Sequence, residues 1–442
     1  MNQSPCISDE IRRVSEKLGS RQFRPKKYGK ISSIMGTVVE CTGLDASVGE
    51  TYCIQTVTGK MVTAEVVGLT EKRTSLIPYD RVDGMKAGCL VESLGQTLSV
   101  YVGKELLGRV VDSNAEPLDQ LGDLDCKFRQ PVYNDPPAPL ERNQIDEVMS
   151  TGIRAIDALN TLGVGQRLGL FAGSGVGKSV LLGMIAKHSD ADVNVIALVG
   201  ERGREVQEFI TETLGEDGLA RSVVVAVTSD MAAMSRIKGA FTATAIAEYF
   251  RDQGKNVLLM MDSVTRVAMA QREIGLASGE PPTTKGYTPS VFAILPKLLE
   301  RAGKTKKGSI TGLYTVLVDN DDMNEPIADA VRSILDGHIV LSRRLAHRNH
   351  YPAIDVLQSV SRVMPKIVSN EQRAIATKAR ELLATYREAE DLINIGAYVK
   401  GSNPKIDEAI KKNPDLESFL IQDLNEADFR DNLWEPLEKI VQ

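Results

Sequence analysis

A lysine and a serine directly behind closely spaced glycines form the clearest chemical constellation in the chain, in Phe171-Ala172-Gly173-Ser174-Gly175-Val176-Gly177-Lys178-Ser179. Glycines let successive backbone N–H groups close around a triphosphate, so Gly173, Ser174, Gly175, Val176 and Gly177, with Val180 behind them, are candidate binding positions. Lys178 can reach the terminal phosphates, and the Ser179 hydroxyl can ligate Mg²⁺. Position 172 departs from the general G-x-x-x-x-G-K-[ST] pattern, because alanine stands where glycine is usual. Such a loop is expected to bind nucleotide, the alternative being a glycine-rich turn of no function. Hydrolysis further needs a metal holder, a group that orients water, and positive charge for the transition state.

Each has a candidate. The run 257–262 is an apolar strand ending in Asp262, a carboxylate that in this type of sheet lies beside the phosphate loop and suits the water shell of Mg²⁺. Capping the next helix is the alternative role for Asp262. Glu201 follows the strand 193–199 and emerges at the carboxyl edge of the sheet, where a carboxylate can polarise attacking water. From spacing alone the simpler reading of Glu201 is a surface glutamate in a charged loop with Arg204 and Glu205.

These side chains need rigid carriers. Apolar residues 167–171 predict a buried strand into the loop, and 180–187 predict the helix out of it. Further strands are predicted at 193–199, 223–227, 257–261 and 310–318, alternating with helical stretches, which describes a mostly parallel, doubly wound sheet. Before it, from Ile31 to about Gly103, short β-branched segments at 36–41, 52–57, 61–67 and 98–102 alternate with turn residues and predict a small antiparallel barrel. After Pro365, Ile375, Ala379, Leu382, Tyr386, Ala389 and Ile393 recur at helical spacing. At the other end, Ile7, Ile11, Val14 and Leu18 form one apolar face of an amphipathic helix, which packs on its own domain, a partner or a membrane surface. Arg21, Arg24, Lys26, Lys27 and Lys30 then read as a solvated basic linker.

Composition narrows the classes. The 442 residues suffice for about three domains, and a net charge of −6 with pI near 5.5 offers no domain-wide basic surface for nucleic acid. Cys6, Cys41, Cys53, Cys89 and Cys126 are odd in number and contain no C-x-x-C pair, which fits a reducing compartment. His338, His347 and His350 are not joined by cysteines in zinc-binding spacing. No apolar run approaches the ~20 residues that span a bilayer, and the first twenty residues are too charged for a signal peptide. A cytoplasmic protein is expected.

An ordered set of motifs carries a family resemblance: Gly200-Glu201-Arg202, Asp262 with Arg266, Thr305-Lys306-Lys307-Gly308-Ser309-Ile310-Thr311, His350-Tyr351-Pro352-Ala353-Ile354-Asp355 and Ser359-Val360-Ser361-Arg362. Together they resemble the catalytic subunits of rotary ATPases. Within that superfamily Arg272-Glu273-Ile274-Gly275, Gly279-Glu280-Pro281-Pro282, residues 321–329 and 334–343 are similar to the export ATPases of flagella and type III secretion systems. The resemblance runs from about Ile31 to the end. Thr288, where a second proline is expected before Pro289, is a small departure.

The resemblance implies an α/β architecture with an N-terminal β-barrel (30–103), a central RecA-like P-loop ATPase domain (104–365) and a C-terminal helical domain (366–442), preceded by the helix and linker (1–29). It implies Lys178 as phosphate clamp, Ser179 and Asp262 as the magnesium shell, and Glu201 as the carboxylate that orients water. Arg202 and Arg266 become charge partners near the γ-phosphate, Tyr351 a stacking face for adenine, and Arg362 an arginine finger for the neighbouring subunit. It also implies ATP and Mg, a homohexamer, a coiled-coil central stalk near loops 304–309 and 319–325, and export chaperones with their cargo. A stator-like regulator at the N-terminal helix and a membrane-bound export gate complete the expected partners, with the protein peripheral at the inner face of the membrane. The flagellar system is preferred over a virulence injectisome. A rotary synthase subunit, an RNA translocase and a non-catalytic nucleotide scaffold are the rival classes.

Overall fold

The computed structural model describes residues 28–95, 97–318, 322–427 and 432–442. The expected amphipathic helix near Ile7 and residues 319–321 of the charged run lie outside the described residues.

Six short strands close into an antiparallel barrel in the order Tyr28–Met35, Val38–Thr42, Thr74–Pro78, Met61–Leu69, Thr51–Gln55, Leu90–Ser93 and back to the first. Alternation explains its core: Val39 and Cys41, Tyr52 and Ile54, Ala64 and Val66 point inward from their strands, with Ile31, Leu76 and Val91. Burial pushes the Cys41 thiol up to about 12, so this cysteine packs as a hydrophobe. Ser99–Val102, read from sequence with the barrel segments, pairs antiparallel with Phe128–Pro131 instead. The compact unit holding the barrel runs to residue 96 without Tyr79–Arg81, and those three residues with Thr97 onward belong to a second unit.

That second unit is organised by a nine-stranded sheet. Its main path runs Val360–Ser361, Gly337–Leu341, Arg167–Ala172, Ser309–Leu317, Asn256–Asp262, Val193–Val199, Ser222–Val227 and Val110–Val111, with Gly303–Lys304 paired to Ser309–Leu317. Every pairing is parallel except those of the first strand and of Gly303–Lys304. Both faces are covered: Val195 and Ala197 are buried on one, Ile196 and Leu198 on the other. Double coverage is why these strands are continuous apolar runs. Asn194 interrupts the run, and its amide nitrogen donates to the Ala186 carbonyl at 2.8 Å.

The chain then ends in helices Asn370–Asn394, Pro404–Leu420 and Trp434–Val441. Ser369 starts the first through a capping box with Gln372. Ala379, Leu382, Leu416, Phe419 and Leu437 join the same apolar cluster as Leu168, Leu182 and Ile196, so the helical region shares one core with the sheet.

Candidate active site

The phosphate-loop strand Arg167–Ala172 ends where helix Lys178–His188 begins six residues later. Ala172 is fully buried and still extended, its carbonyl accepting from Val318 N at 3.1 Å. A strand residue needs no glycine, which removes the force of the departure at this position. The left-handed positions are Gly175 and Gly177, with φ of 78° and 88°. A Cβ at Gly175 would project into open space, whereas one at Gly177 would lie 3.4 Å from the Tyr351 ring. Val176 is buried and anchors the loop, while Ser174, Gly175, Ser179 and Val180 are exposed. The helix has neither a side-chain cap nor an acidic residue in its first turn, so its free N–H groups and positive dipole end face outward.

Three strands bring the remaining groups to this edge. Asn256–Asp262 delivers Asp262, 4 % exposed, whose Oδ1 accepts from Lys178 Nζ and from Thr315 Oγ1, the latter at 2.8 Å. Thr315 belongs to Ser309–Leu317, which lies between the phosphate-loop strand and the strand of Asp262, so its hydroxyl fills the gap between them. Sequence reasoning missed it, because a threonine inside an apolar run carries no signal until the register is known. Val193–Val199 delivers Glu201 through Gly200, whose φ of 73° turns the chain at the strand end.

Glu201 Oε1 lies 3.9 Å from Lys178 Nζ. The same oxygen is buried without a hydrogen-bond partner, although a buried polar atom ordinarily has one. Burial is the largest influence on this carboxyl and Asp262 adds to it, against Lys178 and Arg266, so its pKa is pushed up from 4.5 to about 7. Arg266, in the first turn of helix Val264–Ala277, packs its side-chain stem on Gly200: a Cβ there would come within 2.9 Å of Arg266 Cβ. Its buried Nε also lacks a hydrogen-bond partner. Unpaired carboxylate and guanidinium atoms around an amine describe a polar site shaped for a ligand.

Lys178, Glu201, Asp262, Arg266 and Tyr351 thus converge on the loop. Arg202 and Arg362 do not. The Arg202 side chain is 81 % exposed and pairs with Glu205 at 3.1 Å. Arg362 follows strand Val360–Ser361, in which Ser361 pairs with Gly337 at the amino end of Gly337–Leu341. The phosphate loop leaves the opposite, carboxyl end of the adjacent strand. Arg362 is exposed there, its Nη1 donating to the Leu335 carbonyl at 3.3 Å. The hydroxyl of Ser179 and the carboxylate of Asp262 are hard oxygen donors that suit Mg²⁺.

A phosphate loop, a carboxylate-tipped strand and an acid held near neutrality at one sheet edge define a P-loop nucleotide hydrolase. Residues 152–361 match the ATP synthase alpha/beta family, nucleotide-binding domain, residues 31–95 its beta-barrel domain, and residues 368–439 the T3SS EscN ATPase C-terminal domain. The flagellum-specific ATP synthase of Bacillus subtilis is 58 % identical over 91 % of this chain and 92 % of its own length. The type 3 secretion system ATPase of Xanthomonas euvesicatoria is 50 % identical over 94 % of each chain. The assembled ATPase EscN of enteropathogenic E. coli superposes with a TM-score of 0.89 at 48 % identity, covering 94 % of this chain and all of its own. The chain belongs to the family of flagellum-specific ATP synthases and type III secretion system ATPases, and is an ATP-hydrolysing enzyme rather than a rotary synthase subunit. No helix among the described residues is long and apolar enough to cross a membrane.

Proposed function

We propose that this chain hydrolyses Mg-ATP as a homohexamer and that hydrolysis energises flagellar, type III protein export by releasing chaperone–cargo complexes. The observation that carries the catalytic part is the unpartnered buried Oε1 of Glu201, held beside Lys178 at the loop. In this reading the loop N–H groups and Lys178 bind the triphosphate, and Tyr351 stacks on the base. Ser179 and Asp262 would hold magnesium, which when bound would supply positive charge against the phosphate oxygens. Glu201 accepts a hydrogen bond from water and aligns it for in-line attack, and Arg266 balances the charge of that carboxylate. Arg202, turned toward Glu205, is given no step.

Arg362 lies at the amino end of the strands, away from its own loop, and this supports the reading that it acts as a finger at a neighbour's site. One chain carrying both Glu201 and Arg362 can make every site of a ring competent. A solved relative, 48 % identical, is described as assembled and in complex with its central stalk EscO. By that likeness a central stalk is proposed as a partner of this chain. That the stalk is a coiled coil passing through the ring, and that a stator-like regulator and a membrane-bound export gate hold the protein at the inner face of the membrane, rests on the family resemblance of the sequence motifs. The Xanthomonas relative and the C-terminal match favour service in a virulence injectisome as the second reading.

Hydrolysis by the purified chain, measured against protein concentration, tests the assembly. Specific activity rises steeply as the ring forms, and Glu201→Gln and Arg362→Ala each lower it by roughly 10³-fold or more. Full activity in a dilute monomer, or in Arg362→Ala, overturns the shared-site reading.

A further inference from the structure

Beyond helix Pro404–Leu420, residues 421–426 leave the helical region and run against the nucleotide-binding fold. Gln422 is 4 % exposed, and both polar ends of its side chain are engaged. Its Nε2 donates to the carbonyls of Gly152 and Glu426 at 2.6 Å each, and its Oε1 accepts from Arg154 N at 3.0 Å. Its own backbone N–H donates to the Tyr351 carbonyl at 2.9 Å. Arg154 closes the arrangement, ion-pairing with Glu426 and donating to the carbonyls of Phe419 and Ile421 at 3.3 Å each.

The turn that Gln422 grips is itself pressed on the phosphate-loop helix. Gly152 has φ of 73°, and a Cβ there would approach His188 Cβ to 2.5 Å. His188 is the last residue of the helix that begins at Lys178. One buried residue therefore joins three parts: its backbone N–H holds the carbonyl of the aromatic residue beside Gly177, and its side-chain amide holds the turn behind the loop helix and the exit of the C-terminal helices. Glutamine supplies an acceptor and two donors together without charge; methionine supplies neither, and glutamate sets a negative charge against two carbonyls.

We infer that Gln422 is a positioning residue for the base side of the ATP site: its side chain fixes the segment 421–426, whose backbone N–H at position 422 holds Tyr351 against the phosphate loop, and so couples base binding to the placement of the C-terminal helices. The inference rests on the reading that Tyr351 stacks on adenine. By linkage, a base that favours this arrangement also stabilises the helical segment, and loosening the segment weakens the base by the same factor.

The test uses the full chain with Gln422→Met, Gln422→Glu and Tyr351→Ala, reading ATP hydrolysis and its inhibition by inorganic tripolyphosphate, which engages the loop without a base. The expected result is a KM for ATP raised about 10-fold in both Gln422 variants, as befits a coupling of ordinary size. In these variants kcat changes less than KM, and inhibition by tripolyphosphate stays within about twofold of wild type, since the loop's own phosphate contacts are retained. Hydrogen exchange of residues 404–426 slows on binding a non-hydrolysable ATP analogue in the wild type and not in Gln422→Met. Gln422→Asn, which keeps all three polar functions on a shorter arm, replaces Gln422→Met should that variant not fold. A wild-type KM for ATP in the Gln422 variants, with KM raised in Tyr351→Ala, overturns the inference alone. Equal losses for ATP and tripolyphosphate also overturn it, because they mark a purely structural residue. A wild-type KM in Tyr351→Ala overturns the stacking reading from which it starts.

Discussion

Burial and charge pull the Glu201 carboxyl in opposite directions, and burial prevails: desolvation and Asp262 raise its pKa from 4.5 to about 7 against the attraction of Lys178 and Arg266. A carboxyl raised in the folded state holds its proton more tightly folded than unfolded. Its contribution to stability is therefore full below about 4.5 and is lost as pH rises through about 7. In the proposed role only the ionised form aligns water, so activity is expected to follow the opposite sense. The kcat/KM for ATP accordingly climbs with pH through about 7 and levels off above it. A pH–rate profile flat from 5.5 to 8 would remove Glu201 from this role. At this scale much was legible in the sequence: Lys178 and Ser179 by the loop pattern, and Asp262 because an apolar run ends on a carboxylate. The surroundings of Glu201 were not, because its neighbours Lys178, Asp262 and Arg266 come from a strand and two helices far from it in sequence.

At the scale of elements, the turn after Val193–Val199 shows how closely the scaffold is cut to the site. Gly200 takes a left-handed conformation and meets the Arg266 stem, so the substitution Gly200→Ala adds backbone strain and a contact of 2.9 Å. It is expected to destabilise the fold by about 1–3 kcal/mol. It also displaces Glu201 and Arg266, so kcat falls more than KM rises. Denaturant unfolding together with steady-state kinetics checks both, and an unchanged kcat would show that the turn does not set the carboxylate. The central strands were readable as unbroken apolar runs, whereas Val110–Val111 and Val360–Ser361, two residues each, carry no periodic signal. Ser99–Val102 was drawn into the barrel because its alternation is local; the partner that claims it, Phe128–Pro131, lies some 25 residues on, and propensity does not see that far.

At the scale of the whole molecule, the parallel sheet sets a direction that the motifs alone lacked. Its carboxyl end carries Lys178, Glu201 and Asp262, and its amino end carries Arg362 beside Leu335 and Asp336. Sequence order places Glu201 and Arg362 in one chain without revealing that they face opposite ways. This polarity suits a head-to-tail ring, in which each junction joins one subunit's loop to the next subunit's arginine.

Mixing two inactive variants tests this account most directly. Glu201→Gln retains Arg362, and Arg362→Ala retains Glu201, so a 1:1 mixture assembled at random has about a quarter of its junctions competent. Each variant alone is expected to be nearly silent, and the mixture to recover a substantial part of the wild-type rate. A mixture as inactive as its components would contradict the shared-site reading.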